Sequence, residues 1–186
     1  MEASGLGRWP HMEKNNMYKF RLPILVLIAL LVAMSVTGTA SADNRNFAVH
    51  LSGDEEVPAR DTLAQGEAIF HISKDGSVLH YKLIVANIEN VFAAHIHCGA
   101  VGVNGPVGVN LFIGAPGGGR FDGVLAQGTI TAPNPGNACG WATLADVIAA
   151  MNSGDTYVNV HTNDGVAPIN TGPGDFPGGE VRGQIR

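Results

Sequence analysis

Charge is scarce in this 186-residue chain: Asp, Glu, Lys and Arg make up 15% of it, and only 11 residues are Lys or Arg. Nucleic-acid binders draw most of their affinity from cationic contacts to phosphate, so a net charge of −5 with so few cations argues against that class. Cysteine is scarce as well; two residues cannot form a multi-bridge scaffold. A disordered polyelectrolyte would carry more charge and less than the 45% hydrophobic content found here. Several motifs are missing: a G-x-S-x-G elbow, H-E-x-x-H, a P-loop and any N-x-S/T sequon. Gly and Pro, by contrast, are plentiful at 25 and 10 residues, which points to short strands joined by tight turns.

The chain divides in two. Residues 22–42 form an uncharged, largely apolar run preceded by Lys14, Lys19 and Arg21 and ending in Ala40-Ser41-Ala42. A cationic lead, an apolar stretch and a small-residue A-x-A exit predict a secretory signal peptide over 1–42, cut before Asp43. An uncleaved anchor is the alternative, since about 20 apolar residues can span a bilayer, and it is the only membrane contact expected. Met12 and Met17 offer alternative starts within the long lead. Residues 43–186 then form one domain outside the cytoplasm, secreted, periplasmic or at the cell surface. At 144 residues it is near the commonest domain size. Both cysteines, Cys98 and Cys139, lie in it. An oxidising compartment makes a Cys98–Cys139 disulfide the default, with a thiol metal ligand as the competing reading.

Period-2 alternation recurs along 43–186. Phe47, Val49 and Leu51 alternate with Ala48, His50 and Ser52, and Phe70 and Ile72 share a face in 65–72. Lys74-Asp75-Gly76-Ser77 reads as a hairpin turn leading into Leu79, Tyr81, Leu83 and Val85. Further strands are predicted at 92–97, 107–112, 121–131, 156–161 and 180–185. One helix interrupts them: Leu144, Val147, Ile148 and Met151 fall at helical spacing behind a Thr143/Asp146 capping box. The pattern predicts an all-β antiparallel Greek-key sandwich or barrel of about eight strands with one short helix.

Candidate chemistry rests on histidine. In Ala93-Ala94-His95-Ile96-His97 both imidazoles share one strand face, opposite Ala94 and Ile96. In Tyr157-Val158-Asn159-Val160-His161 the valines face the core and His161 lies with Tyr157 and Asn159. His95, His97 and His161 are therefore the candidate metal ligands. Imidazole suits zinc, copper, iron or nickel, and these residues alone do not choose among them. The competing reading is three ordinary polar-face histidines bonded to loops. His50, His71 and His80 read as solvated surface residues. Glu55 and Glu56 read as a solvated acidic pair, and Asn163-Asp164-Gly165 as a turn rather than a calcium loop. No catalytic residue is identified, and no cofactor beyond the metal is expected.

With those residues in view, the chain resembles the chordin-domain (CHRD) family. The matching blocks are LSGDEEVPA (51–59), GEAIFHISKDGSVLHYKLIVANIENV (66–91), AAHIHCGAVGVNGPVGVNLF (93–112), YVNVHT (157–162) and GGEVRGQI (178–185). The resemblance implies an extracytoplasmic β-domain with no established reaction, serving as a binding or structural module for a protein or surface partner. A weaker, fold-level likeness is to Cu,Zn superoxide dismutase. It would place His95, His97 and His161 at that family's copper-side positions, and Arg182 where its anion-guiding arginine sits. The stretch 99–112 contains no His or Asp, so the bridging histidine and zinc ligands of that family have no counterpart there. A mononuclear three-histidine site is what that likeness leaves, with a dismutase-like enzyme ranked below a copper- or zinc-binding protein.

Overall fold

A computed structural model describes residues 45–186; the predicted signal segment lies outside the described residues. Eight strands form a single antiparallel sheet: β1 (Asn46–Ser52), β2 (Gln65–Ile72), β3 (Leu79–Glu89), β4 (Val91–Cys98), β5 (Val107–Ile113), β6 (Arg120–Ile130), β7 (Thr156–Thr162) and β8 (Val181–Ile185). One helix, α1 (Leu144–Ser153), joins β6 to β7. The strand order is β5-β4-β7-β8-β1-β2-β3-β6, and the edge strands β5 and β6 return alongside each other, so the sheet is a nearly closed barrel. Two long-range pairings, β3 with β6 and β4 with β7, give the Greek-key crossings. At the seam, Tyr81 of β3 donates its hydroxyl to the Leu111 carbonyl of β5 at 2.8 Å. Asn134 occupies the free edge of β5, bonding the Gly108 carbonyl and the Asn110 amide. Such cover keeps an exposed ladder from pairing with another chain.

The alternation in the sequence sets the core. Phe47, Val49 and Leu51 of β1, Phe70 and Ile72 of β2, and Leu79, Leu83 and Val85 of β3 all point inward and are buried. Ile96 of β4 and Val158 and Val160 of β7 complete that side, and Leu144, Val147 and Met151 of α1 join the same cluster. The helix begins where expected: Thr143 and Asp146 exchange both capping-box bonds, and Gly154 ends it in the left-handed region at φ 77°. β3 runs four residues past the predicted 85. Asn87 and Asn90 adopt positive φ, which their short polar side chains tolerate, so the strand bulges and turns rather than stopping.

The two faces of the barrel wall differ from strand to strand. In β1 and β2 the outward residues are mostly solvated, whereas every residue of β7 and β8 is buried. On the β4–β7–β8 side, loops 53–64, 99–106 and 163–180 lie over the outer surface of the sheet. The barrel there has a second, polar layer, and the candidate residues sit within it.

Candidate metal centre

The register on this side builds a small grid of polar side chains. His95 of β4 pairs with Asn159 of β7, which pairs with Arg182 of β8. One step along, His97 pairs with Tyr157 and Tyr157 with Gln184. His161 lies opposite Ala93, diagonal to His95. The three candidate imidazoles are thereby brought together: ring centroids are 4.9 Å apart for His95 and His161, 5.5 Å for His95 and His97, and 5.6 Å for His97 and His161. One nitrogen from each lies within 4.8 Å of the others, and this is the only such cluster of three or more metal-binding side chains among the described residues.

Ring orientation is set by carbonyls of the covering loops. His97 Nδ1 donates to the Gly105 carbonyl at 2.9 Å, and His161 Nδ1 donates to the Pro177 carbonyl at 3.0 Å. A carbonyl only accepts, so in each ring the proton sits on Nδ1 and Nε2 carries the lone pair. His97 Nε2 is buried without a partner. His161 Nε2 lies 3.1 Å from His95 Nδ1. Two nitrogens at that spacing, each about 2.0–2.1 Å from one ion, would subtend about 95–102°, near the tetrahedral value. Pairs as wide as 4.8 Å must close to roughly 3.3–3.4 Å for a tetrahedral ion, so binding would draw the rings together by as much as about 1.5 Å.

The imidazoles are held neutral. Burial pushes His95 down to about 4, helped by repulsion from His97. Burial pushes His161 down to about 3, with His95 and His97 adding to the effect and the Pro177 carbonyl opposing it. His97 is lowered by burial and by the Arg182 cation, against the Gly105 carbonyl. Neutral imidazole is the ligating form, so the site needs no proton released near neutral pH to accept an ion.

Glycines account for how the loop 99–106 lies so close to the sheet. A Cβ on Gly105 would collide with the Cys98 carbonyl, and one on Gly99 would meet the Val103 carbonyl and the Tyr157 ring. Gly102 turns the loop at φ 74°. The loop is tied down at several points. Gly105 N donates to Tyr157 Oη at 3.0 Å, Gln184 Nε2 donates to the Gly99 carbonyl at 2.9 Å, and the Cys98–Cys139 disulfide anchors its start. Both cysteines are thus in the bridge, and the thiol-ligand reading is set aside.

Two sequence readings are corrected. Glu56 is not a solvated partner of Glu55: it is 6% exposed, under the loop cover beside Asn159, Arg182 and Arg60. Burial pushes its carboxyl up to about 7, while Arg182, Arg60 and the Asn159 amide pull the other way. Arg182 does not face solvent to guide anions. It is 1% exposed, with its guanidinium carbon 3.5 Å from the centroid of the Tyr157 ring and donating to Asn104 Oδ1 and to the Val103 carbonyl, both at 3.0 Å. Tyr157 in turn stacks on His97 at 4.8 Å. The E-x-R-x-Q alternation of Glu180, Arg182 and Gln184, opposite Val181, Gly183 and Ile185, was the available signal: a polar face on a central strand needs a cover.

The remaining candidates lie apart. His50 is exposed, 3.9 Å from Glu67, and exposed His71 and His80 stack on each other across β2 and β3 at 6.2 Å. Asn163 and Asp164 accept from Gly165 and Val166 amides, as turn residues do. No curated protein and no solved structure matches the chain. The family model of the CHRD domain matches residues 47–185, which takes in all eight strands apart from the first residue of β1, the three histidines and the loops above them. The chain belongs to the CHRD domain family.

Proposed function

We propose that this protein is an exported CHRD module that binds a single transition-metal ion, copper or zinc, through His95, His97 and His161, in a binding or structural role rather than a catalytic one. The observation that carries the reading is the free Nε2 of His97: buried, without a partner, and set in a ring whose other nitrogen is fixed by the Gly105 carbonyl. A buried polar atom left unpaired costs about 1–3 kcal/mol, and an ion shared with His95 and His161 removes that cost. Carbonyl bonds to the non-ligating nitrogen are the usual outer support of a histidine metal site. Among the described residues no carboxylate hydrogen-bonds any of the three imidazoles, and Arg182 is enclosed, so the features that tune a metal for turnover are not in evidence. Export is supported by the apolar segment at 22–42 and by the disulfide, which suits an oxidising compartment. The partner in that role is a protein or surface outside the cytoplasm.

Metal content tests the reading. The full chain is expressed with export, recovered from the extracytoplasmic fraction and compared with a His95→Ala/His97→Ala/His161→Ala variant. Wild type is expected to carry about one copper or zinc per chain, and the variant none. No ion in either protein after exposure to both metals would refute the metal site.

A further inference from the structure

We infer that the three-imidazole site selects its ion by charge, favouring monovalent cuprous copper over divalent copper and zinc. The inference rests on the metal-binding reading above and concerns which ion the site takes. The donors bring no charge of their own: three histidines make up the cluster, with no carboxylate or thiolate among them. Both cysteines are in the disulfide, so no thiolate can join. The carboxylates of the polar layer are engaged elsewhere. Glu180 accepts from the Thr62 and Thr162 hydroxyls and the Gly174 amide, and Glu56 faces Asn159 with Arg182 and Arg60.

An ion entering this site leaves much of its water, because His97 and His161 are each only 7% exposed and His95 is partly buried. The cost of moving an ion into a medium of low polarity grows with the square of its charge, so a dication pays about four times what a monocation does. Nearby charge adds to the bias. The Arg182 guanidinium is buried on the neighbouring strand, and the Tyr157 ring it lies over is itself stacked on His97. A fixed cation separated from His97 by one aromatic ring repels a second unit of ionic charge. In a partly polar interior that is worth on the order of tenfold in relative affinity. Coordination number acts in the same direction. Three nitrogens can satisfy cuprous copper, whereas zinc on three histidines takes a water as its fourth ligand, which must then also be held in the site.

The test is competitive titration of the full-length, metal-stripped protein at neutral pH. Cuprous ion is titrated anaerobically against a chromogenic cuprous chelator, and zinc and cupric ions against chelators of known affinity. One cuprous equivalent is expected, bound at least tenfold more tightly than either dication; for copper, each tenfold equals 59 mV in the potential of the bound couple. Arg182→Gln removes the cation and Asn159→Asp adds a carboxylate opposite His95. Each is expected to shift the preference toward dications by about tenfold, and the second carries the test if the first fails to fold. Zinc or cupric ion bound as tightly as cuprous ion would overturn the charge selection while leaving the metal site intact. A preference unmoved in every folded variant would overturn its electrostatic origin. No binding of any of the three ions would instead refute the metal site itself.

Discussion

The buried carboxyl of Glu56 makes a prediction that does not depend on any metal. Its Oε1 and the Asn159 Oδ1 are both buried and both without a partner, although the Asn159 amide nitrogen lies 3.4 Å from Oε2. Two acceptors with no donor between them describe a carboxylate; a proton on Glu56 supplies the missing donor. The carboxyl is accordingly pushed up from 4.5 to about 7. For a carboxyl raised in the folded state the sign is fixed. The folded protein binds the proton more tightly than the unfolded chain, so stability is greatest below pH 4.5, falls as pH rises through 4.5–7, and is level above that. At about 1.36 kcal/mol per pKa unit, the loss from this group reaches roughly 3 kcal/mol at pH 8 as a ceiling. Glu56→Gln places a neutral amide there, whose NH2 can donate to Asn159 Oδ1. In urea unfolding with chelator present, the variant is expected to exceed wild type by roughly 2–3 kcal/mol at pH 8, and the gap should close to a few tenths near pH 4. Protonation of the three buried histidines on acidification destabilises both proteins equally and cancels in the difference. A variant less stable than wild type at pH 8 would refute the argument, because it would mean that Arg182 and Arg60 hold an ionised carboxylate in place.

The loop over the site makes two further predictions. Gly105→Ala drives a methyl group into the Cys98 carbonyl, so overpacking should cost about 1–3 kcal/mol in urea unfolding. By shifting the carbonyl that orients His97, it should also weaken zinc or copper binding about 10–100-fold in chelator competition. Replacing Cys98 and Cys139 together by Ser opens a loop spanning 41 residues of sequence. A loss of up to about 4 kcal/mol is expected from chain entropy, read as a lowered Tm that reductant no longer changes; a Tm unaltered by the double substitution would refute that estimate.

The barrel wall was legible because one rule governs it. Phe47, Val49 and Leu51, or Val158 and Val160, alternate with polar neighbours, and the alternation alone says which side faces the core. Thr143 and Asp146 marked the helix start for an equally local reason. The three histidines were legible as sharing the outward face of their strands, and their convergence followed only once β4 and β7 were neighbours, a pairing made across some sixty residues of chain. What alternation could not say is whether an outward face meets water. His50 and His161 both alternate away from core valines; one is exposed and the other lies 7% exposed under the Pro177 carbonyl.

The difference lies in the loops, and loop positions follow from close backbone approach rather than from hydrophobic period. Gly99, Gly102 and Gly105 let the backbone after β4 lie flat on the sheet, which brings carbonyls within reach of His97 and Arg182. Once covered, every polar group beneath must find a protein partner in place of water. Arg182, Gln184 and Glu180 therefore bond loop atoms, and those bonds in turn fix the loop. Among the described residues that accounting fails to close at Glu56 and His97, and also at Arg60, Thr156, Asn159 and Asp175, each with a buried atom unpaired. For Glu56 a proton closes it, and for His97 the proposed ion would, its lone pair having no protein donor opposite. The G-x-x-G-x-x-G run and the H-x-H ahead of it are thus one structural device: the glycines build the cover, and the cover leaves the imidazole nitrogens facing one another rather than water.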